Sequence, residues 1–287
     1  GYLSLSRCVS MMFRPFEEVG SSTSLAVEHA LALAPEQSEA LGVKAVMTQL
    51  LDRDWDTAGR LYRRAIAAKE NQQALAMYAL FYLQFIGQQQ KAIELYENYS
   101  KNDPLHAGYK ANLAGILYFA GDDYGTIKMA REALLLDPGH VVAINYLIAA
   151  YTNTDDNESL YSLLDDLPPE ARTLAEIRPI LARSYAARGD ETRARKIYQD
   201  LVASSDNLTP LALMYTAWLA VTLGEIDQSI DLLERVEKGG SWLQFWSKLL
   251  PMENSAVLEN PRYQALLKRM GLDDKSVAAL NERMSFN

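Results

Sequence analysis

Sulfur and imidazole are scarce in this chain. Its 287 residues include one cysteine, Cys8, and three histidines, His29, His106 and His140. A lone thiol excludes an intramolecular disulfide and fits a reducing compartment. No run of about 18 apolar residues occurs, so no segment is a candidate transmembrane helix. The start, Gly1-Tyr2-Leu3-Ser4, lacks a basic-then-apolar leader pattern. Gly1 reads as a cleavage scar, and the chain is expected to be a fragment of a longer protein. Positive charge is in deficit: 28 Lys and Arg stand against 37 Asp and Glu, a net charge of −9. That balance speaks against direct nucleic-acid contact and against docking on anionic lipid. No Gly-rich phosphate loop, nucleophile elbow or H-E-x-x-H is present, so neither catalysis nor a cofactor is expected.

Apolar residues make up 49% of the chain, enough for a continuous core. Their arrangement is periodic. Ala58, Ala92, Thr126, Leu160 and Ala194 are spaced by 34 residues, and Ser229 follows at 35. Tyr62, Tyr96, Ala130, Leu164, Tyr198 and Leu233 keep the same step, as do Gly87, Gly121, Asp155, Gly189 and Gly224. Self-similarity at this period marks a helix–turn–helix solenoid.

Residues 107–140 serve as the reference unit. A first helix over 107–120 carries Leu113, Ile116, Leu117 and Ala120 at helical spacing. Gly121 ends it, because glycine takes the left-handed conformation a helix C-terminus favours. Asp122 and Asp123 offer carboxylates to the free N–H groups of a second helix. That helix turns Ile127, Ala130, Ala133 and Leu134 inward and stops at Asp137-Pro138-Gly139.

Ala114, Gly121, Thr126, Ala130, Ala133 and Pro138 stand at positions 8, 15, 20, 24, 27 and 32 of this unit. The pattern resembles the tetratricopeptide repeat (TPR), which implies an all-α, right-handed superhelical solenoid and a protein-binding role. Small residues at positions 8 and 20 allow the two helices to cross closely. About seven units follow, starting near residues 4, 38, 73, 107, 141, 175 and 210. Residues 1–37 are expected to form a degenerate repeat with loops at Phe13-Arg14-Pro15-Phe16 and Gly20-Ser21-Ser22. Residues 38–240 hold six repeats, with one extra residue around 52–56 and a degenerate fifth unit cut short by Pro168-Pro169. Residues 241–287 leave the period as capping helices: Trp242, Phe245, Trp246 and Leu249 share a face, Asn260-Pro261 opens a helix ending at Gly271, and a last helix covers 276–284.

The stretch Asn260-Pro261-Arg262-Tyr263-Gln264-Ala265-Leu266-Leu267-Lys268-Arg269-Met270-Gly271-Leu272, together with Asp54-Trp55-Asp56 before Ala58, resembles the C-terminal TPR region of bacterial multidomain regulators. Those proteins carry a winged-helix DNA-binding domain or an adenylate cyclase domain at the N-terminus. The resemblance implies a regulatory, cytoplasmic protein; the alternative is a soluble domain of a membrane-attached regulator.

Metal chemistry finds little support. His106 and His140 occupy equivalent ends of adjacent units, about 10 Å apart at ordinary helix spacing, with no third ligand in view. Asp52, Asp54 and Asp56 are similar to the start of an EF-hand loop, but Thr57 and Arg63 replace its required Gly and Glu, so they are assigned to turn and N-cap duty.

The TPR resemblance implies that positions 2, 5, 6, 9 and 12 of each first helix point into the concave groove. The candidate binding residues are Met77, Tyr78, Phe81, Gln84, Asn112, Tyr118, Asn145, Tyr146, Arg183, Tyr215 and Trp218. Tyrosine recurs at position 6 as Tyr78, Tyr146 and Tyr215, and aromatic rings with a polar tip favour interfaces. The alternative is that these tyrosines pack between neighbouring first helices. Ala111, Gly115 and Ala149 would leave the groove floor open, and Arg183 is the candidate contact for an anion. The expected partner is a protein or peptide held in the groove. Self-association, a spacer role for an attached domain and small-molecule sensing in a cavity beside Gly115 and Ala149 are the alternatives.

Overall fold

A computed structural model describes residues 16–68, 72–101, 103–239, 248, 250–251 and 254–285. Among them no strand occurs. A single helix, α1 (Phe16–Leu33), precedes six helical hairpins. These are α2 (Ser38–Met47) with α3 (Trp55–Ala68), α4 (Gln72–Tyr78) with α5 (Gln89–Ser100), and α6 (Ala107–Phe119) with α7 (Asp123–Leu136). Then come α8 (Val141–Asn153) with α9 (Asn157–Asp166), α10 (Ile177–Ala187) with α11 (Glu191–Ala203), and α12 (Pro210–Thr222) with α13 (Ile226–Lys238). Helices α14 (Pro261–Arg269) and α15 (Asp274–Ser285) are the last among the described residues. First helices lie side by side at α2/α4, α6/α8, α8/α10 and α10/α12, so each of these pairs buries its apolar stripe against the next, as a solenoid requires.

Every hairpin turns on the same backbone event. Arg53, Gly87, Gly121, Asp155, Gly189 and Gly224 all have positive φ, between 54° and 82°. The following N–H reaches back to close the helix: Asp122 N bonds Leu117 O at 3.0 Å, Asp156 N bonds Tyr151 O at 2.9 Å and Asp190 N bonds Tyr185 O at 2.9 Å. Arg53 thus extends the glycine series one hairpin toward the N-terminus. The next residue caps the second helix. Asp54, Asp122, Asp156 and Asp190 accept from the N–H three residues on, at 2.8–3.1 Å. Hydrogen bonds from Thr57 and Ser159 hold the Asp54 and Asp156 carboxyls below their ordinary pKa. Of the acidic triplet, Asp54 is the cap, while Asp56 in the first turn of α3 pairs with Arg283 of α15 at 2.7 Å.

Two expectations need correction. Gly20-Ser21-Ser22 is not a loop but lies inside α1; burial of Thr23 and Val27, each 2% exposed, outweighs the poor helix propensity of Gly and Ser. The extra residue of the second unit sits in a π-helical turn, Thr48–Asp52, at the end of its first helix. A second π-turn, Ala79–Leu83, widens the next hairpin in the same way. Phe13, Arg14, Pro15, Cys8, Trp242, Phe245, Trp246 and Leu249 lie outside the described residues.

The solenoid is closed by its own C-terminal helices. Asn260 caps α14, accepting from Arg262 N and Tyr263 N. Arg262 ties α14 to Asp231 and Glu234 of α13. The far end of α14 then meets the first hairpin, α2 with α3: the Trp55 indole N–H donates to Met270 O at 2.7 Å, and Arg53 donates to Arg269 O at 2.9 Å. Glu237 accepts from both Arg53 and Arg269, at 3.0 and 2.8 Å. Burial pushes the Glu237 pKa up, but the Arg269 hydrogen bond and the two positive charges outweigh it and the net shift is downward. Helix α15 reaches the second hairpin, α4 with α5, where Asn281 donates to Ile86 O at 2.7 Å and accepts from Gln88 at 2.9 Å. Ile86 O is one of the orphan carbonyls at the end of a first helix, and Asn281 satisfies it.

Candidate functional site

The predicted groove residues converge, but on a packed interior. Tyr78, Gln84, Tyr118, Asn145, Tyr146, Arg183, Tyr215 and Trp218 are each at most 6% exposed. Met77 and Asn112 are half-buried, and Asn112 donates to the Tyr96 hydroxyl at 3.0 Å. The side chain of Phe81 lies outside the described residues. An open groove lined by these side chains is therefore not what the chain builds. The tyrosines pack between neighbouring helices instead.

The reason is visible at the glycines. A Cβ on Gly115 of α6 would lie 2.6 Å from Tyr146 Cε2, so the Tyr146 ring of α8 fills the space that glycine leaves. The floor expected to be open beside Gly115 and Ala149 is filled by that ring. Tyr82 lies against Gly59 in the same manner. It stacks on Tyr78, with ring centroids 5.2 Å apart, beside Tyr62 and Trp55.

A second aromatic cluster spans most of the array. Tyr146 lies 5.7 Å from both Tyr118 and Phe119. Trp218 of α12 stacks on Phe119 of α6, with centroids 6.3 Å apart and planes at 19°. Those helices are three hairpins apart, so the superhelix curls tightly enough for its fourth and seventh units to touch. Burial raises the Tyr146 and Tyr215 phenol pKa values, and both hydroxyls stay neutral. The Tyr215 hydroxyl and the Asn145 side-chain N–H₂ have no hydrogen-bond partner among the described residues.

Arg183 is the polar centre of this cluster. Its guanidinium lies 4.4 Å from the centroid of the Trp218 ring and donates to Asn145 Oδ1 at 3.2 Å. The other basic residues of its hairpin are spread outward. Arg178 pairs with Asp200, Arg195 pairs with Glu191 and Glu225, and Arg188 and Arg193 lie over Tyr185. Next to Arg183 is a cavity of 280 Å³, lined by Ile148 and Thr152 of α8, Arg183 and Ala186 of α10, and Glu191 and Thr222. Thr152 was legible as a groove position. Ile148 was not, because position 8 faces the helix crossing in a regular repeat.

Metal chemistry has little to work with. Among the described residues no group of three or more His, Cys, Asp and Glu side chains could hold an ion. His106 and His140 come closer than repeat spacing suggests: a side chain at Gly108 would meet the His106 ring at 3.0 Å and the His140 ring at 3.8 Å. Both have local duties. His106 stacks on Tyr109 at 3.9 Å, and His140 Nδ1 caps α8 by accepting from Ala143 N at 3.4 Å. No described helix is long and apolar enough to cross a membrane.

Comparison with known proteins agrees with this architecture. A family model described as tetratricopeptide repeat matches residues 180–207. Comparison with curated proteins finds no match. Among solved structures, PilW, a widely conserved type IV pilus biogenesis factor, superposes with a TM-score of 0.57 at 15% identity, covering 73% of this chain and 94% of PilW. Yeast Tom70 superposes with a TM-score of 0.55 at 13% identity, covering 98% of this chain and 64% of that one. At such identities the likeness concerns the fold. The chain folds as a TPR-type solenoid, an architecture typical of protein–protein interaction modules.

Proposed function

We propose that this chain is the non-catalytic interaction or sensing module of a larger cytoplasmic regulatory protein, and that a peptide segment of its partner enters the cavity between α8, α10 and α12. The observation that carries this reading is Arg183, 6% exposed and braced by Trp218 and Asn145 beside a 280 Å³ cavity. A guanidinium already fixed in place loses little freedom on pairing with a carboxylate, and low local dielectric strengthens the bond. The regulatory context is supported by the tail from Asn260 to Leu272 and by the Asp54-Trp55-Asp56 turn. Both belong to the contacts that close the solenoid, through Asn260, Trp55 and Met270.

Thr152→Trp tests the assignment, because Thr152 is exposed at the cavity wall and a large ring there fills the entrance. Partners cross-linked to the wild-type chain in its native cell should be lost from the variant at unchanged thermal stability. Retention of every partner would exclude the cavity. The spacer reading draws on one observation, the bracing of α14 and α15 against the first and second hairpins, which suits a rigid body. Concentration-dependent dimerisation without ligand in analytical ultracentrifugation would favour it.

A further inference from the structure

The fifth unit departs from the others on the side built by second helices. Helices α5, α7, α11 and α13 run 12 to 14 residues, whereas α9 has 10. Leu167 turns extended at its end and Pro168-Pro169 bars continuation. The turn that α9 lacks leaves part of α7 without a neighbour. A cleft of 420 Å³ opens there, walled by Leu134, Leu135 and Pro138 on one side and by Leu163 and Asp166 on the other, over Tyr151. Leu135 is 84% exposed, and Leu136, next to it in sequence, is 40% exposed. Arg131 closes one end, with its Nε donating to the Tyr151 hydroxyl at 2.6 Å.

Carboxylates outnumber bases around the cleft, where Arg131 closes one end and Arg172 lies against the Asp165 and Leu167 carbonyls. Residues 132–171 contain no lysine or arginine and eight carboxylates: Glu132, Asp137, Asp155, Asp156, Glu158, Asp165, Asp166 and Glu170. Lys110 from the preceding helix answers Glu132. An anionic membrane is repelled by such a surface. A cationic, partly apolar partner is drawn to it.

We propose that this cleft docks a basic amphipathic helix of a partner protein. Its apolar stripe takes the place of the missing turn of α9, with leucine-type side chains seated between α7 and α9. Its lysines or arginines face Asp137, Asp165 and Asp166. A helix fits better than an extended segment, because the seat is what one further helical turn alongside α7 would occupy. The cleft, on α7 and α9 over Tyr151 of α8, shares no lining residue with the Arg183 cavity, so the two assignments stand or fall independently.

The probe is a fluorescein-labelled, 18-residue Leu/Lys amphipathic helical peptide, with a Leu/Glu peptide of the same pattern as control, read by fluorescence anisotropy on the whole chain. Binding should be weakened by salt and be at least about tenfold stronger for the lysine peptide. Leu135→Asp and Ser162→Trp should each weaken it about tenfold; both positions are exposed, so circular dichroism should show an unchanged fold. Thr152→Trp should have no effect. Binding that survives L135D and S162W, or equal binding of the two peptides, overturns the proposal. A dimer abolished by L135D with no peptide binding also overturns it, in favour of a second copy of the chain.

Discussion

Gly115 is where the packing of the inner face can be tested most sharply. In an exposed helix, Gly→Ala is stabilising by ~1 kcal/mol, because alanine has less backbone freedom to lose. Gly115→Ala places a methyl 2.6 Å from Tyr146 Cε2 and 2.8 Å from Cζ. The ring cannot step aside, since Tyr146 is 2% exposed and held by Tyr118 and Phe119 at 5.7 Å. Overpacking of this kind costs about 1–3 kcal/mol, so the net effect should be a loss of ~1 kcal/mol. Tyr146→Leu removes the ring and costs ~2 kcal/mol alone. On that background G115A should become stabilising by ~1 kcal/mol, giving a coupling energy of ~2 kcal/mol between the two sites. Urea unfolding followed by far-UV circular dichroism measures all four proteins, with equal m-values as the check that the unfolding unit has not changed. If G115A stabilises the wild-type chain as fully as it stabilises Y146L, the ring does not occupy that space.

Four further substitutions probe other contacts. Arg53 and Asp155 share φ of 54°, yet their replacement by glycine should act in opposite directions. Asp155→Gly relieves a left-handed backbone and should gain ~1 kcal/mol in urea unfolding, whereas Arg53→Gly also loses the bonds to Arg269 O and Glu237 and should expose α14 and α15 to limited proteolysis. Trp55→Phe strands Met270 O and should cost ~1–2 kcal/mol, read as a lower urea midpoint. Burial lowers the His140 pKa below 6.5, with Asp137 opposing and His106 reinforcing. The unfolded chain therefore takes up a proton first as pH falls, so this contribution is complete above pH 6.5 and is lost as pH drops toward the folded value. His140→Asn keeps the cap and should flatten that part of the stability profile measured between about pH 7.5 and 5.5; an unchanged slope would refute the role.

The fold was legible because its determinants are local. Gly87, Gly121, Gly189 and Gly224 announce the left-handed turn, and the carboxylate that follows Gly121 and Gly189 announces the cap. Asp155 shows the limit of residue identity: it holds the glycine position by lattice register alone, since aspartate tolerates the left-handed region better than most residues. The π-turns at Thr48–Asp52 and Ala79–Leu83 were harder. An inserted residue is visible as a one-step offset in spacing, but spacing does not say whether a helix or a turn absorbs it. The bracing of Trp55 by Met270 joins residues 215 apart in sequence, and nothing periodic marks such a pair.

The candidate site was legible as a set of residues and misjudged as a surface, and the cause lies in how rotation accumulates. Position 6 tells which face of a first helix a tyrosine occupies. It does not tell how far each hairpin is turned on the last, and that small angle, summed over three units, brings Trp218 onto Phe119. A second signal was nonetheless present in composition. Helix α12 reads Pro-Leu-Ala-Leu-Met-Tyr-Thr-Ala-Trp-Leu-Ala-Val-Thr, with no charged residue on any face, and α8 is similar. A helix that is apolar all round has no side to give to water, so both its faces must be covered by protein. A wet groove needs first helices with one polar stripe, and among these only α10 carries arginines, Arg178 and Arg183. Arg183 is the arginine that α10 buries on the inner face, and the 280 Å³ cavity lies beside it.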